Sequence, residues 1–155
     1  MSSEEIDDVE DENTEDTYLT FLVGEEEYAV PVAHVTEIVR LQKSFSVPDV
    51  PAYIRGVINL RGKVIPLLDV RSRLGLAQSS YSDRTVVVVL EVDDTATGLV
   101  VDGVTEVAEI PKETIDSDVP HAPGRQSLVR GMGKRADRVS FILDVPRLLS
   151  REAAV

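Results

Sequence analysis

The chain contains the same phrase twice, and this repeat constrains its fold more than any other feature. From Arg55 it reads RGVINLRGKVIPLLDV, and from Arg130 it reads RGMGKRADRVSFILDV, an alignment at an offset of 75. An ungapped offset of 69 maps the residues around YLTFLVG onto VVVVLEVDDTATGLVV, and HVTEIV (34–39) onto GVTEVA (103–108). The difference places six additional residues of the second copy in PKETIDSDVPHAPGRQS, a segment rich in turn formers, where an insertion costs little. Two copies of one supersecondary unit must each supply part of a core.

Within each copy, β-branched and alternating segments dominate. YLTFLVG puts Leu19, Phe21 and Val23 on one face, and with YAVPV beyond an acidic turn it predicts a hairpin. The second copy repeats the hairpin with its turn in Asp93 to Ala96. Pro31 and Pro66 fall inside strand-like runs, which places those strands at edges or bulges. Each copy closes on a short helix opened by an aspartate, Asp69 before VRSRLGL and Asp144 before VPRLLS. Aspartate at an N-cap accepts hydrogen bonds from free backbone N–H groups and contributes ~1 kcal/mol. Two carboxylates in matching capping contexts are read as caps rather than as an acid–base pair.

Chemistry is limited by what the chain lacks. With no cysteine, disulfides, thiolate zinc sites and thiol nucleophiles are excluded. His34 and His121 stand far apart without metal-ligand spacing around them. GMGK (131–134) fails the phosphate-loop pattern, because position 128 is leucine and no Ser/Thr follows Lys134. No nucleophile elbow, zinc-helix motif or calcium loop occurs, so no catalytic residue, metal site or cofactor is expected. No hydrophobic run approaches the ~18 residues of a membrane span. The N-terminus has no basic stretch followed by an apolar one, and a cytoplasmic soluble protein is expected.

Charge is unevenly spread. The net charge is −12, yet nine acids and no base fall in residues 1–16, leaving −3 for the rest. Such a block cannot collapse, and residues 1–16 are expected to form a disordered acidic tail. Five bases lie between Arg125 and Arg138 against Asp137 alone, which suits a solvated face, an acidic partner or the chain's own tail. Nucleic acid is not an expected partner, since the body is not net basic and no aromatics alternate with these bases.

Comparing the copies separates scaffold from candidate site. Arg55/Arg130, Gly56/Gly131, Glu37/Glu106 and the Leu-Asp-Val triplets occur in both and are explained by the fold. Asn59-Leu60-Arg61-Gly62 occurs once; its counterpart is Lys134-Arg135-Ala136-Asp137. A strand–turn–strand tip there would project Arg61 and Lys63 outwards.

FLVGEEEYAVPVAHVTEIVR, then VPAYIRGVINLRGKVIPLLDVRSRLGL, then a degenerate second round resemble the CheW-type chemotaxis coupling proteins over nearly all of residues 18–150. The resemblance implies an all-β fold with short helices: two similar SH3-like five-stranded barrels about a shared hydrophobic seam. Residues 17–155 would form this domain, with a first copy at about 18–80 and a second at about 84–150. It further implies a non-enzymatic adaptor that couples the cytoplasmic tips of chemoreceptors to the regulatory domain of the histidine kinase CheA. The setting would be cytoplasmic, at membrane-bound receptor arrays, with no membrane insertion. An adaptor for another chemosensory or surface-motility kinase pathway would use the same fold. Carried over residue by residue, the receptor and kinase contacts are Val35, Glu37, Asn59, Arg61 and Gly62, with Gly56 and Val57 as supports. Arg61 is expected to pair with Glu37 and fix the tip, and the second copy, with Ala136 at the matching position, to hold no equivalent pair.

Overall fold

The computed structural model describes residues 14–77, 80–118 and 128–150. Residues 1–13 of the expected tail, His121 and Arg125 lie outside the described residues, whereas Thr14–Asp16, the rest of that stretch, form a 3-10 turn. Eleven strands occur there: β1 (Thr17–Val23), β2 (Glu26–Pro31), β3 (Val35–Arg40), β4 (Ile54–Leu60), β5 (Lys63–Asp69), β6 (Val86–Val92), β7 (Thr95–Val101), β8 (Gly103–Glu109), β9 (Ile115–Asp116), β10 (Val129–Arg135) and β11 (Arg138–Leu143). Two short helices, α1 (Val70–Arg73) and α2 (Val145–Leu149), follow β5 and β11. Both are opened as expected. Asp69 accepts from the Ser72 N–H at 3.3 Å, and Asp144 from the Arg147 N–H at 3.2 Å.

The strands form two SH3-like sheets, ordered β8-β1-β2-β11-β10-β9 and β3-β6-β7-β5-β4. Neither sheet is built from one contiguous copy. Hairpin β1–β2 of the first copy sits among strands of the second, and hairpin β6–β7 of the second sits among strands of the first. The exchange is reciprocal. Its joints are the parallel ladders β2–β11 and β5–β7 and the antiparallel ladders β1–β8 and β3–β6; within each copy every ladder is antiparallel. The physical cause is the short crossing after each first hairpin. One 3-10 turn, Val32–His34, separates β2 from β3, and Asp102 alone separates β7 from β8. So short a link carries the chain straight from one sheet into the other.

Burial follows the two-residue period of strands. In β6, Val87 and Val89 pack inside their own barrel with Ile58, Ile65, Leu67 and Val100. Val88 and Leu90 point the other way, into a seam that also takes Leu19, Phe21, Val23, Leu99 and Leu143. A strand buried on both faces explains the unbroken VVVVL run. Arg73, buried in α1, donates to the carbonyls of Leu148 (3.1 Å) and Arg147 (3.0 Å) at the end of α2. It thereby joins the helices of the two copies.

Two corrections concern the prolines. Neither lies in an edge strand: β2 runs between β1 and β11, and β5 between β7 and β4. Pro31 is the last residue of β2, beyond the Glu27–Ala29 stretch paired with β11. Pro66 opposes Val57, whose N–H and C=O both go to Phe45, and the ladder with β7 starts only at Leu67. Its missing N–H is therefore not needed by either neighbour.

Candidate functional site

The single-copy segment Asn59-Leu60-Arg61-Gly62 forms the turn between β4 and β5. Arg61 (φ 53°) and Gly62 (φ 83°) both adopt the left-handed backbone that a two-residue hairpin turn requires. Asn59 closes the turn, its Oδ1 accepting from the Gly62 N–H at 2.9 Å. The Arg61 guanidinium reaches across the barrel end to the Glu37 carboxylate on β3, so the expected pair forms. Lys63, which the sequence also projected outwards, stands 4.0 Å from Glu91. Arg61 remains 70% exposed and Glu37 26%. The pair braces the turn while leaving most of the Arg61 side chain in solvent. A cleft of about 420 Å³ opens there, lined by Thr36, Glu37, Arg61 and Lys63 over an apolar floor of Leu60, Ile65, Val89 and Ala96.

The other carried-over residues do not all converge on this tip. Gly56 and Val57 occupy the far half of β4, where the segment around Phe45 crosses it. Gly56 has φ +143°, and a Cβ there would lie 2.5 Å from the Phe45 carbonyl oxygen, so only glycine admits the crossing. Val35 packs against the seam between the barrels. The structure thus gathers Glu37, Asn59, Arg61 and Gly62, sets Gly56 and Val57 behind them, and separates Val35.

The equivalent end of the other barrel overturns one expectation. Glu106 is not unpaired. It meets Arg138 at 2.6 Å and Arg135 at 3.5 Å, from positions matching Lys63 and Leu60 instead of Arg61. Glu27, 9% exposed, binds Arg135 at 2.8 Å and accepts from Thr105 at 3.1 Å and from Ser140. The two ends therefore use one frame with opposite fillings. Leu60, Ile65, Val89 and Ala96 in one barrel correspond to Arg135, Ser140, Thr20 and Glu27 in the other. The sequence reading missed this network because Glu27 and Arg135 lie 108 residues apart. The signal was four apolar positions matched by polar ones, two in each alignment.

Asp69 has partners beyond its cap. Arg55 Nε lies 3.2 Å away and Tyr81 Oη donates to it at 2.8 Å. Burial, reinforced by this hydrogen bond to a carboxylate, pushes the Tyr81 phenol up to about 12. Among the described residues no group of three or more His, Asp or Glu could hold a metal ion, and no helix is long and apolar enough to cross a membrane.

The two interlocked barrels thus carry one hairpin tip closed by Asn59 and braced by the Glu37–Arg61 pair. The chain matches the family model described as a CheW-like domain over residues 17–153. It is 34% identical to the chemotaxis protein CheW of Helicobacter pylori, over 87% of this chain and 82% of that protein. It is 33% identical to CheW of Klebsiella aerogenes, with the same coverage. The crystal structure of the scaffolding protein TtCheW from Thermoanaerobacter tengcongensis superposes with a TM-score of 0.81 at 29% identity, covering 89% of this chain and 90% of that one. The chain belongs to the CheW-like family.

Proposed function

We propose that this chain is a chemotaxis adaptor that couples chemoreceptors to the histidine kinase CheA without catalysing a reaction itself. Family membership over residues 17–153 carries this reading. The Glu37–Arg61 tip supports it with a mechanism. A turn held by Asn59 and Glu37 loses little freedom on docking, so less of the interaction free energy is spent on ordering it. In this reading the tip and β3 meet the cytoplasmic tip of the receptor, the kinase is engaged through its regulatory domain, and the chain works in the cytoplasm at receptor arrays.

The test is CheA autophosphorylation with receptor-bearing membranes from the same organism, measured with and without this chain. Receptor-dependent acceleration on its addition is the expected result. An unchanged rate with folded protein and both partners present refutes the coupling role and assigns the fold to another chemosensory kinase pathway.

A further inference from the structure

The outer face of the β4–β5 hairpin carries an apolar strip beside the tip. Phe45 and Val57 exchange both backbone hydrogen bonds, at 2.8 and 2.9 Å, so their side chains project to the same side. Val57 is paired with Pro66 on its other flank, and Asn59 with Val64 one step nearer the turn. Ile58, between Val57 and Asn59, is fully buried, which confirms that this row faces outwards. Phe45 is 56% exposed and Val64 66%, among the most exposed large apolar side chains described. Phe45 is also held rigidly, because its carbonyl rests in the space left by Gly56.

The second copy keeps apolar residues at three of these four positions, Met132, Val139 and Phe141 for Val57, Val64 and Pro66, and differs at the fourth. Its residue matching Val57 is Met132, and the strand partner there is Asp116, a carboxylate where the first barrel presents Phe45. The difference repeats that at Arg61: a shared frame with one copy altered at an exposed position.

We propose that Phe45 and Val64 extend the recognition tip, forming with Val57 and Pro66 an apolar face that docks against an apolar ridge of the receptor's cytoplasmic tip. This rests on the reading of Arg61 as a receptor contact, and its ground is continuity: Asn59 closes the Arg61 turn and pairs with Val64 in the strip. Arg61 supplies polar recognition at the turn, and Phe45 supplies desolvated area behind it. Exposed aromatics presented this way are frequent interface hot spots.

The test uses full-length Phe45→Ala, Val64→Ser and Arg61→Ala, with Val107→Ser as control, since Val107 is 59% exposed on β8 of the other sheet. Binding is measured to receptor-bearing membranes and, separately, to purified CheA. Phe45→Ala and Val64→Ser should each weaken receptor binding, Phe45→Ala by at least about tenfold, and leave CheA binding and the Val107→Ser control near wild type. Wild-type receptor binding by both strip variants while Arg61→Ala is weak overturns the strip and leaves the tip assignment standing. Wild-type binding by all three overturns both. A loss of CheA binding instead makes the strip a kinase surface and overturns the proposal. If Phe45→Ala does not fold, Val64→Ser decides alone, because its side chain is mostly in solvent.

Discussion

Arg61 and Arg135 occupy equivalent barrel ends, and removing each should have opposite consequences. Arg61 sits 70% exposed against Glu37, so its ion pair contributes at most about 1 kcal/mol to folding. For a chain of this size, ~1 kcal/mol shifts the melting temperature by roughly 2–4 °C. Arg135 is 19% exposed and faces Glu27, which is 9% exposed. Deleting one member of a buried pair costs about 3–5 kcal/mol. The low end applies here, because Glu27 keeps Arg138 at 3.6 Å and Arg135 Nε has no hydrogen-bond partner to lose. Arg135→Ala should therefore lower the melting temperature by roughly 6–12 °C. Receptor binding should follow the reverse order. Arg61→Ala removes a centrally placed arginine, a loss of about 2 kcal/mol or ~30-fold in affinity. Arg135→Ala should bind within about threefold wherever it is folded. Calorimetry and a membrane co-sedimentation titration on the same preparations read both quantities. The reasoning is refuted if Arg61→Ala melts as early as Arg135→Ala, or if it still sediments with receptor like the wild type.

Gly56→Ala should lose about 2–3 kcal/mol in denaturant unfolding, from its strained φ and the 2.5 Å approach to the Phe45 carbonyl; a loss under about 0.5 kcal/mol shows that the crossing simply shifts. Asp144→Ala should cost ~1 kcal/mol as a lost cap. Asp69→Ala should cost about 3 kcal/mol, since it also strips partners from Arg55 and Tyr81, and equal losses would contradict this. Tyr81 gives the pH dependence. Its phenol ionises near 10.0 when unfolded and is raised to about 12 when folded, so its contribution is complete below pH 10 and lost as pH rises to 12. Wild type should therefore lose more stability than Tyr81→Phe between pH 10 and pH 12, by an amount reduced by solvent screening; parallel stability curves over that interval exclude the link.

The repeat made the strands, the hairpins and both helix caps legible, because these depend on neighbours along the chain. Asp69 and Asp144 act on backbone three residues away, and YLTFLVG states its buried face by alternation. Strand exchange was not legible. A hairpin that pairs within its own copy and one that pairs with the other copy need the same alternation and the same turns, so the repeat identifies equivalent strands without choosing their partners. The prolines misled for the same reason. Whether Pro66 needs its N–H depends on where the β7 ladder starts, at Leu67, and no local pattern encodes that. Phe45 was passed over because its copy-two counterpart lies in the segment of unequal length, where alignment by offset fails.

The two barrel ends also indicate how one ancestral unit could acquire separate duties. A barrel end must be plugged, and either apolar or polar groups can do so if every buried charge finds a partner. The first barrel uses Leu60, Ile65, Val89 and Ala96, a plug that asks nothing of the turn above it. Arg61 is then free to meet Glu37 and to present its remaining donors. The second barrel plugs itself with Glu27, Arg135, Ser140 and Thr20, and this draws Arg135 into its end. Arg135, 19% exposed, turns inwards to Glu27 and Glu106, and Arg138, 51% exposed, pairs with both from the rim. An apolar plug at one end and a charged plug at the other thus decide which arginine is available for recognition, before any partner is present.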